Sequence, residues 1–238
     1  MSEIYWGIRL YELARGAGVI HSLYAGLEYA SRLGNFDPKY RTGRLDGKGK
    51  PFPNPEDLST LVFTVPLGDA KCPLIYLEDY GPYARWLFDY PARSSGLELH
   101  VATEDIAWKD LATAFTEVTG RKAVYKDVSL DEYFSLPIFP YPDNKVGHSA
   151  NRNDPALITF RENFSGFWNT WEAELTKCDY KLLDEILQTR VKIVKEWMKK
   201  TGYNGKRSSL LKDHREGGRK SSSRCQLMGS ASENMDFL

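Results

Sequence analysis

The hydrophobic pattern of this chain changes period several times, and each change marks an element. Leu61-Val62-Phe63-Thr64-Val65 is a β-branched and aromatic run, and the turn chemistry of Pro66-Leu67-Gly68-Asp69 ends it, which predicts a strand. Leu74-Ile75-Tyr76-Leu77 predicts a second short strand. Asp79 then stands where an N-cap belongs, with Pro82 in the first turn, and Tyr83, Trp86 and Leu87 give the following helix an apolar face. Upstream, Ser2 to Arg15 predicts a helix capped by Ser2, with Ile4, Ile8 and Tyr11 on one side and Gly16-Ala17-Gly18 as its stop. Val19 to Tyr24 reads as a buried strand. Ala25 to Lys50 is polar and loop-rich, and the helix expected after Asp46-Gly47-Lys48-Gly49-Lys50 is cut off by Pro51, Pro53 and Pro55.

Downstream, Leu97 to Val101 alternates as a strand, and Thr103 is placed to cap a helix opened by Glu104 and Asp105. Ala107, Leu111, Ala114, Phe115 and Val118 form the buried stripe of that helix, and Gly120 stops it. Ala123-Val124-Tyr125 predicts another strand, and Ser129 with Glu132 makes a capping box. Two long helices are predicted next, from Pro155 to Leu175 on Phe160, Phe164, Phe167 and Trp171, and from Tyr180 to Lys200 on Leu183, Leu187, Val191, Val194 and Met198. Beyond Tyr203 the apolar period dies. The basic, serine-rich stretch that follows predicts a disordered tail over 204–238.

Composition narrows the class. With 42% apolar residues in 238, the chain has material for a sizeable core. Lys+Arg and Asp+Glu balance at 32 each, which gives no electrostatic reason to seek nucleic acid or anionic lipid. The three cysteines, Cys72, Cys178 and Cys225, are far apart and suit a reducing compartment better than a disulfide framework. No apolar run approaches a membrane span, and nothing at Met1 has the pattern of a signal peptide. The expectation is a soluble protein, cytoplasmic or nuclear.

Candidate chemistry is sparse. Gly16-Ala17-Gly18 follows a helix and precedes a strand, the reverse of a phosphate-binding glycine loop, and fits a helix stop. No G-x-G-x-x-G, Walker loop or G-x-S-x-G elbow occurs, and His21, His100, His148 and His214 lack metal-ligand spacing. The aromatic repeat from Phe160 to Trp171 reads as core packing, and Asp79 as a cap rather than an acid catalyst.

An ordered set of segments nevertheless resembles one family. Ile4 to Leu10, Asp37 to Tyr40, Asp46 to Lys50, Pro66 to Asp69, Leu77 to Ala84, Val118 to Ala123, Asp131 to Phe134, Phe164 to Trp168 and Val194 to Met198 are similar to NmrA-like proteins. That family comprises atypical short-chain dehydrogenase/reductase-type proteins related to a fungal regulator of nitrogen metabolite repression. The resemblance implies an α/β fold, here an incomplete Rossmann-like parallel sheet with a smaller, mainly helical C-terminal subdomain. It divides the chain into a truncated Rossmann-like core (1–102), a substrate-type subdomain (103–203) and the tail (204–238). It implies NADP as the cofactor, with Lys48 matching the lysine that reaches the nicotinamide ribose and Tyr24 as a second cofactor-binding residue; an ammonium can donate to two ribose hydroxyls at once.

The departures from the family shape the functional expectation. The N-terminal glycine-rich strand–loop–helix has no counterpart after Met1, and a core strand with its nicotinamide loop is missing between Lys50 and Phe52. Ala25 and Gly26 stand where such dehydrogenases place a catalytic serine, and Arg44 stands where they place the tyrosine. With no catalytic residue matched, hydride transfer has no proton donor. A truncated or mis-spliced gene product is therefore expected, with low stability or association through exposed sheet edges. The reading that results is an NmrA-like NAD(P)-binding-type regulator or redox sensor acting through a protein partner. An NAD(P)H-dependent oxidoreductase on a quinone or small carbonyl is one alternative, and an inactive remnant or interaction domain is the other. No metal, nucleic acid or membrane partner is expected, and the oligomeric state is left open.

Overall fold

The computed structural model describes residues 3–26, 29–42, 52–53, 60–146, 153–154 and 157–205. The Ser2 cap, the Asp46 to Lys50 junction, Pro155 and the basic tail from residue 206 lie outside these.

In chain order, Glu3–Gly16 forms α1 and Ala30–Leu33 forms α2, followed by a single 3-10 turn at Pro38–Tyr40. The sheet elements are Phe52–Pro53 (β1), Leu61–Val65 (β2) and Lys71–Leu74 (β3); α3 (Leu77–Asp89) and α4 (Pro91–Ser94) come next, then β4 (Glu104–Ala107). The chain continues through α5 (Trp108–Thr119), β5 (Ala123–Asp127), α6 (Leu130–Phe134), α7 (Phe160–Glu172), α8 (Tyr180–Ile186) and α9 (Val194–Lys200). The protein is α/β.

Strand β2 is the centre of a three-stranded sheet in the order β1-β2-β5. It pairs in parallel with β5 from Leu61↔Ala123 to Val65↔Asp127, and α5 is the helix that leads into that parallel partner. Short β1 lies antiparallel on the other edge. Strands β3 and β4 form a separate antiparallel pair, registered from Lys71↔Ala107 to Leu74↔Glu104. The core packs Leu61, Phe63, Val65 and Leu67 against Trp108 and Phe115 of α5, Tyr133 and Phe134 of α6, Phe164 and Trp168 of α7, and Met198 of α9. Phe63 sits edge-on to Phe115 with ring centres 6.0 Å apart. Each such buried side chain contributes about 1.5–3 kcal/mol of apolar transfer free energy.

Several elements differ from the sequence expectation, each for a visible reason. Val19 to Tyr24 is irregular instead of a buried strand, with Ile20 92% exposed, because no described strand offers it an edge to pair with. The second strand is Lys71–Leu74, since its ladder to β4 ends at Leu74; the Tyr76 N–H instead donates to Thr103 Oγ1 at 2.8 Å. Leu97 to Val101 forms no strand ladder with any described residue. The strand falls at Glu104–Ala107, where Ile106 and Ala107 bury against the core side, so Thr103 caps no helix, Glu104 and Asp105 open none, and α5 starts only at Trp108 with Ala107 as an N-cap that makes no side-chain bond. Helix α3 starts at Leu77, with Tyr76 as N-cap and no side-chain cap, which puts Asp79 in the first turn and Pro82 inside the helix.

The C-terminal helices are shorter than their periodicity suggests. Thr159 and Glu162 form a complete capping box, so α7 begins at Phe160. The segment expected as one helix from Tyr180 to Lys200 divides into α8 and α9 around Arg190, whose buried side chain turns inward to backbone carbonyls. The Ser129 and Glu132 box of α6 and the left-handed Gly120 (φ 72°) that ends α5 match the sequence reading.

Candidate functional site

The site is built by the β3–β4 pair on one side and the loop from Glu174 to Tyr180 with the α8–α9 link on the other. Between them lies an open cleft of about 520 Å³. Strands β3 and β4 bring Lys71, Pro73, Thr103, Glu104 and Asp105 to one wall because Pro73 and Asp105 are directly paired. The opposite wall carries Cys178, Tyr180, Arg190 and Lys192. Glu174, also in the lining, holds a left-handed backbone (φ 47°), a strained conformation for a residue with a Cβ. Its carboxylate reaches back to the Lys71 N–H at 3.4 Å.

Arg190 is the anchor of the cleft, with its side chain 4% exposed. Its Nε donates to Asp184 Oδ1 at 2.6 Å, and its Nη1 donates to the carbonyls of Thr103 at 2.9 Å and Val191 at 3.3 Å. The guanidinium also lies over the Tyr180 ring, 5.3 Å from its centre. Asp184 takes a second cation, Lys192, at 2.7 Å, and the hydrogen bonds from Lys192 and Arg190 hold its carboxyl below the usual range. The part of the α8–α9 link that leads into α9 is fixed at two points, by Asp79 accepting from the Val191 N–H at 2.9 Å and Glu104 accepting from the Val194 N–H at 2.8 Å.

The Tyr180 hydroxyl is buried and makes no hydrogen bond of normal geometry. Burial, and then the charge of neighbouring Asp105, push its pKa upward, so it stays a neutral phenol. Among the described residues, no group of three His, Cys, Asp or Glu side chains could hold a metal ion. The lining mixes cations and carboxylates around a phenol, an arrangement suited to holding a small polar molecule through paired charges and hydrogen bonds.

The residues singled out from sequence lie elsewhere. Tyr24 sits in the irregular segment after α1, 79% exposed, and Lys48 is outside the described residues, as is Arg44. Gly16 and Gly18 lie at the carboxyl end of α1, where carbonyls and not amide N–H groups are free, so they form no phosphate cradle. Described residues therefore supply one isolated candidate contact for a dinucleotide and do not by themselves fit one. The cleft around Arg190 carried no sequence motif. Its only advance signal was an arginine in the apolar stripe predicted from Leu183 to Met198.

Residues 49–156 match the model of the NmrA-like family. The match covers a little under half of the chain, which over that stretch is similar to the family. It runs from β1 through α6, and so contains the parallel β2–β5 pair and the β3–β4 wall of the cleft, while the Arg190 wall lies beyond it. NmrA-like proteins have a Rossmann-like fold and generally bind NAD(P), and the chain is similar to them over the matched stretch. No curated protein matches the chain significantly. Among the described residues no helix is long and apolar enough to cross a membrane.

Proposed function

We propose that this protein is an NmrA-like NAD(P)-responsive regulator that works through a protein partner and not through dehydrogenase chemistry. The family match over residues 49–156 is the observation that carries this reading. Against catalysis stand Ala25, Gly26 and Arg44, which replace the serine and tyrosine that would polarise a carbonyl and supply its proton. Nucleotide contact is assigned to Lys48 and Tyr24, with NADP as the cofactor. The exposed apolar positions of α1, including Trp6, Leu10 and Tyr11, favour a role in association.

The test is a titration of the full-length protein with NADPH and NADP, followed by tryptophan fluorescence. Saturable binding that weakens in Lys48→Ala supports the proposal. Turnover of a quinone with NADPH would replace it by the oxidoreductase reading. A flat signal at millimolar nucleotide would leave an interaction domain that senses no nucleotide.

A further inference from the structure

We propose that the cleft around Arg190 binds a small zwitterion of the α-amino-acid type, its carboxylate held by Arg190 Nη2 and its ammonium by the carboxylate of Asp105. Three groups in the cleft are incompletely satisfied by the described residues, and together they describe this ligand. A guanidinium has five N–H donors, and in Arg190 those on Nε and Nη1 go to Asp184, Thr103 and Val191. Nη2 makes no hydrogen bond to any described residue, although the side chain is 4% exposed. A guanidinium edge of this kind, on a side chain held in place by its other nitrogens, is suited to a planar carboxylate.

Asp105 is the second group. Lys71, Lys177 and Lys192 all line the same cleft, yet Asp105 forms no ion pair with any described cation. The third is the Tyr180 hydroxyl, buried beside Asp105 but without a hydrogen bond of normal geometry. The Tyr180 ring lies under the Arg190 guanidinium, and its hydroxyl can hydrogen-bond a charged end of a ligand. A lone anion would meet Asp105 with repulsion, and a lone cation would meet Arg190 in the same way, so a molecule carrying both charges a short distance apart is selected over either half. The cleft volume of about 520 Å³ is in the range of sites for small organic ligands.

The proposal does not depend on nucleotide binding, and its test uses nucleotide-free, full-length protein. L-alanine is titrated alongside propionate and ethylammonium, which keep its carboxylate or its ammonium alone, with calorimetry for affinity and amide and arginine Nε NMR shifts for location. L-alanine is expected to saturate with shifts at Arg190 and in β4, and each half to bind at least about ten-fold more weakly. Tyr180→Phe should weaken L-alanine by about ten-fold, and Asp105→Asn should remove the advantage of L-alanine over propionate. Absence of saturation up to roughly 50 mM, equal binding of propionate, or shifts confined to another surface would overturn the proposal. Should either variant fail to fold, the three-ligand comparison on the unmodified chain decides alone.

Discussion

The carboxylate of Asp79, in the first turn of α3, accepts the backbone N–H of Val191 at 2.9 Å across 112 positions of sequence. This bond ties the helix that follows the β3 strand to the link that carries Arg190. Asp79 does not cap its own helix, since α3 has no side-chain cap. Asp79→Ala should therefore leave the half-buried Val191 amide unsatisfied and lower stability by about 1–3 kcal/mol. Asp79→Asn keeps an acceptor oxygen and should lose less. Urea denaturation of the two variants checks this; equal and negligible losses would mean that the bond is not formed in solution.

The difference between the cap reading and the tertiary bond shows what was legible in the sequence. Local patterns specified β2, β5, the body of α5 with its Gly120 stop, and the Ser129 box, because each depends on residues within a turn or two, whereas the Thr103 start expected for α5 was displaced by the β4 strand. Elements whose position depends on a distant partner were displaced. Leu97 to Val101 has better strand alternation than Glu104 to Ala107, yet only the latter meets β3 in register. In the same way, the apolar period from Leu183 to Met198 contains no break, and the division into α8 and α9 arises because Arg190 is drawn to the Thr103 carbonyl 87 positions away. The cleft is assembled from such long-range contacts, so no contiguous motif announces it.

The two capping boxes predict a definite acid response. The carboxyls of Glu132 and Glu162 are held below their ordinary value of 4.5, first by backbone N–H groups of Ser129 and Thr159 and then by the hydroxyls of those residues. Because the folded pKa is the depressed one, this stabilisation is complete above the unfolded pKa and is lost as pH falls from there through the folded value. Stability should be flat near neutrality and decline below about pH 4.5. Replacing both glutamates with glutamine should make that decline shallower. Removing either cap hydroxyl, as Ser129→Ala or Thr159→Ala, should cost about 1 kcal/mol each, additively given the separation of the helices. Denaturant midpoints across the acid range measure both effects.

Cys72 and Cys178 should react very differently with iodoacetamide. Cys72 lies on β3 against Ile106 and Trp108, and burial, chiefly, pushes its thiol up to about 11. Little thiolate forms at pH 8, and the sulfur is shielded as well. Cys178, partly exposed in the cleft wall, has solvent access. Peptide mass spectrometry after mild alkylation should find Cys178 modified and Cys72 untouched until denaturant is added. Early modification of Cys72 would mean that the β3–β4 pair opens readily.

Gly166 decides whether the N-terminal segment stays attached. A Cβ at this position of α7 would lie 2.2 Å from the Arg41 carbonyl oxygen and 2.7 Å from its carbon, so the obstacle is backbone and cannot rotate away. The same contact is bolstered by Asn169, whose amide donates to the Lys39 carbonyl at 2.8 Å. Gly166→Ala should push residues 38–42 off α7, costing about 1–3 kcal/mol, with the β2–α5 core left in place. Gly7 offers the control: an added Cβ meets nothing within 4 Å inside α1, so Gly7→Ala should stabilise by about 0.5–1 kcal/mol through helix propensity alone. Hydrogen exchange should then show protection lost at residues 38–42 in Gly166→Ala and unchanged there in Gly7→Ala. Retained protection in Gly166→Ala would contradict the docking of this segment against α7, since no arrangement of the two backbones as they stand admits the added methyl.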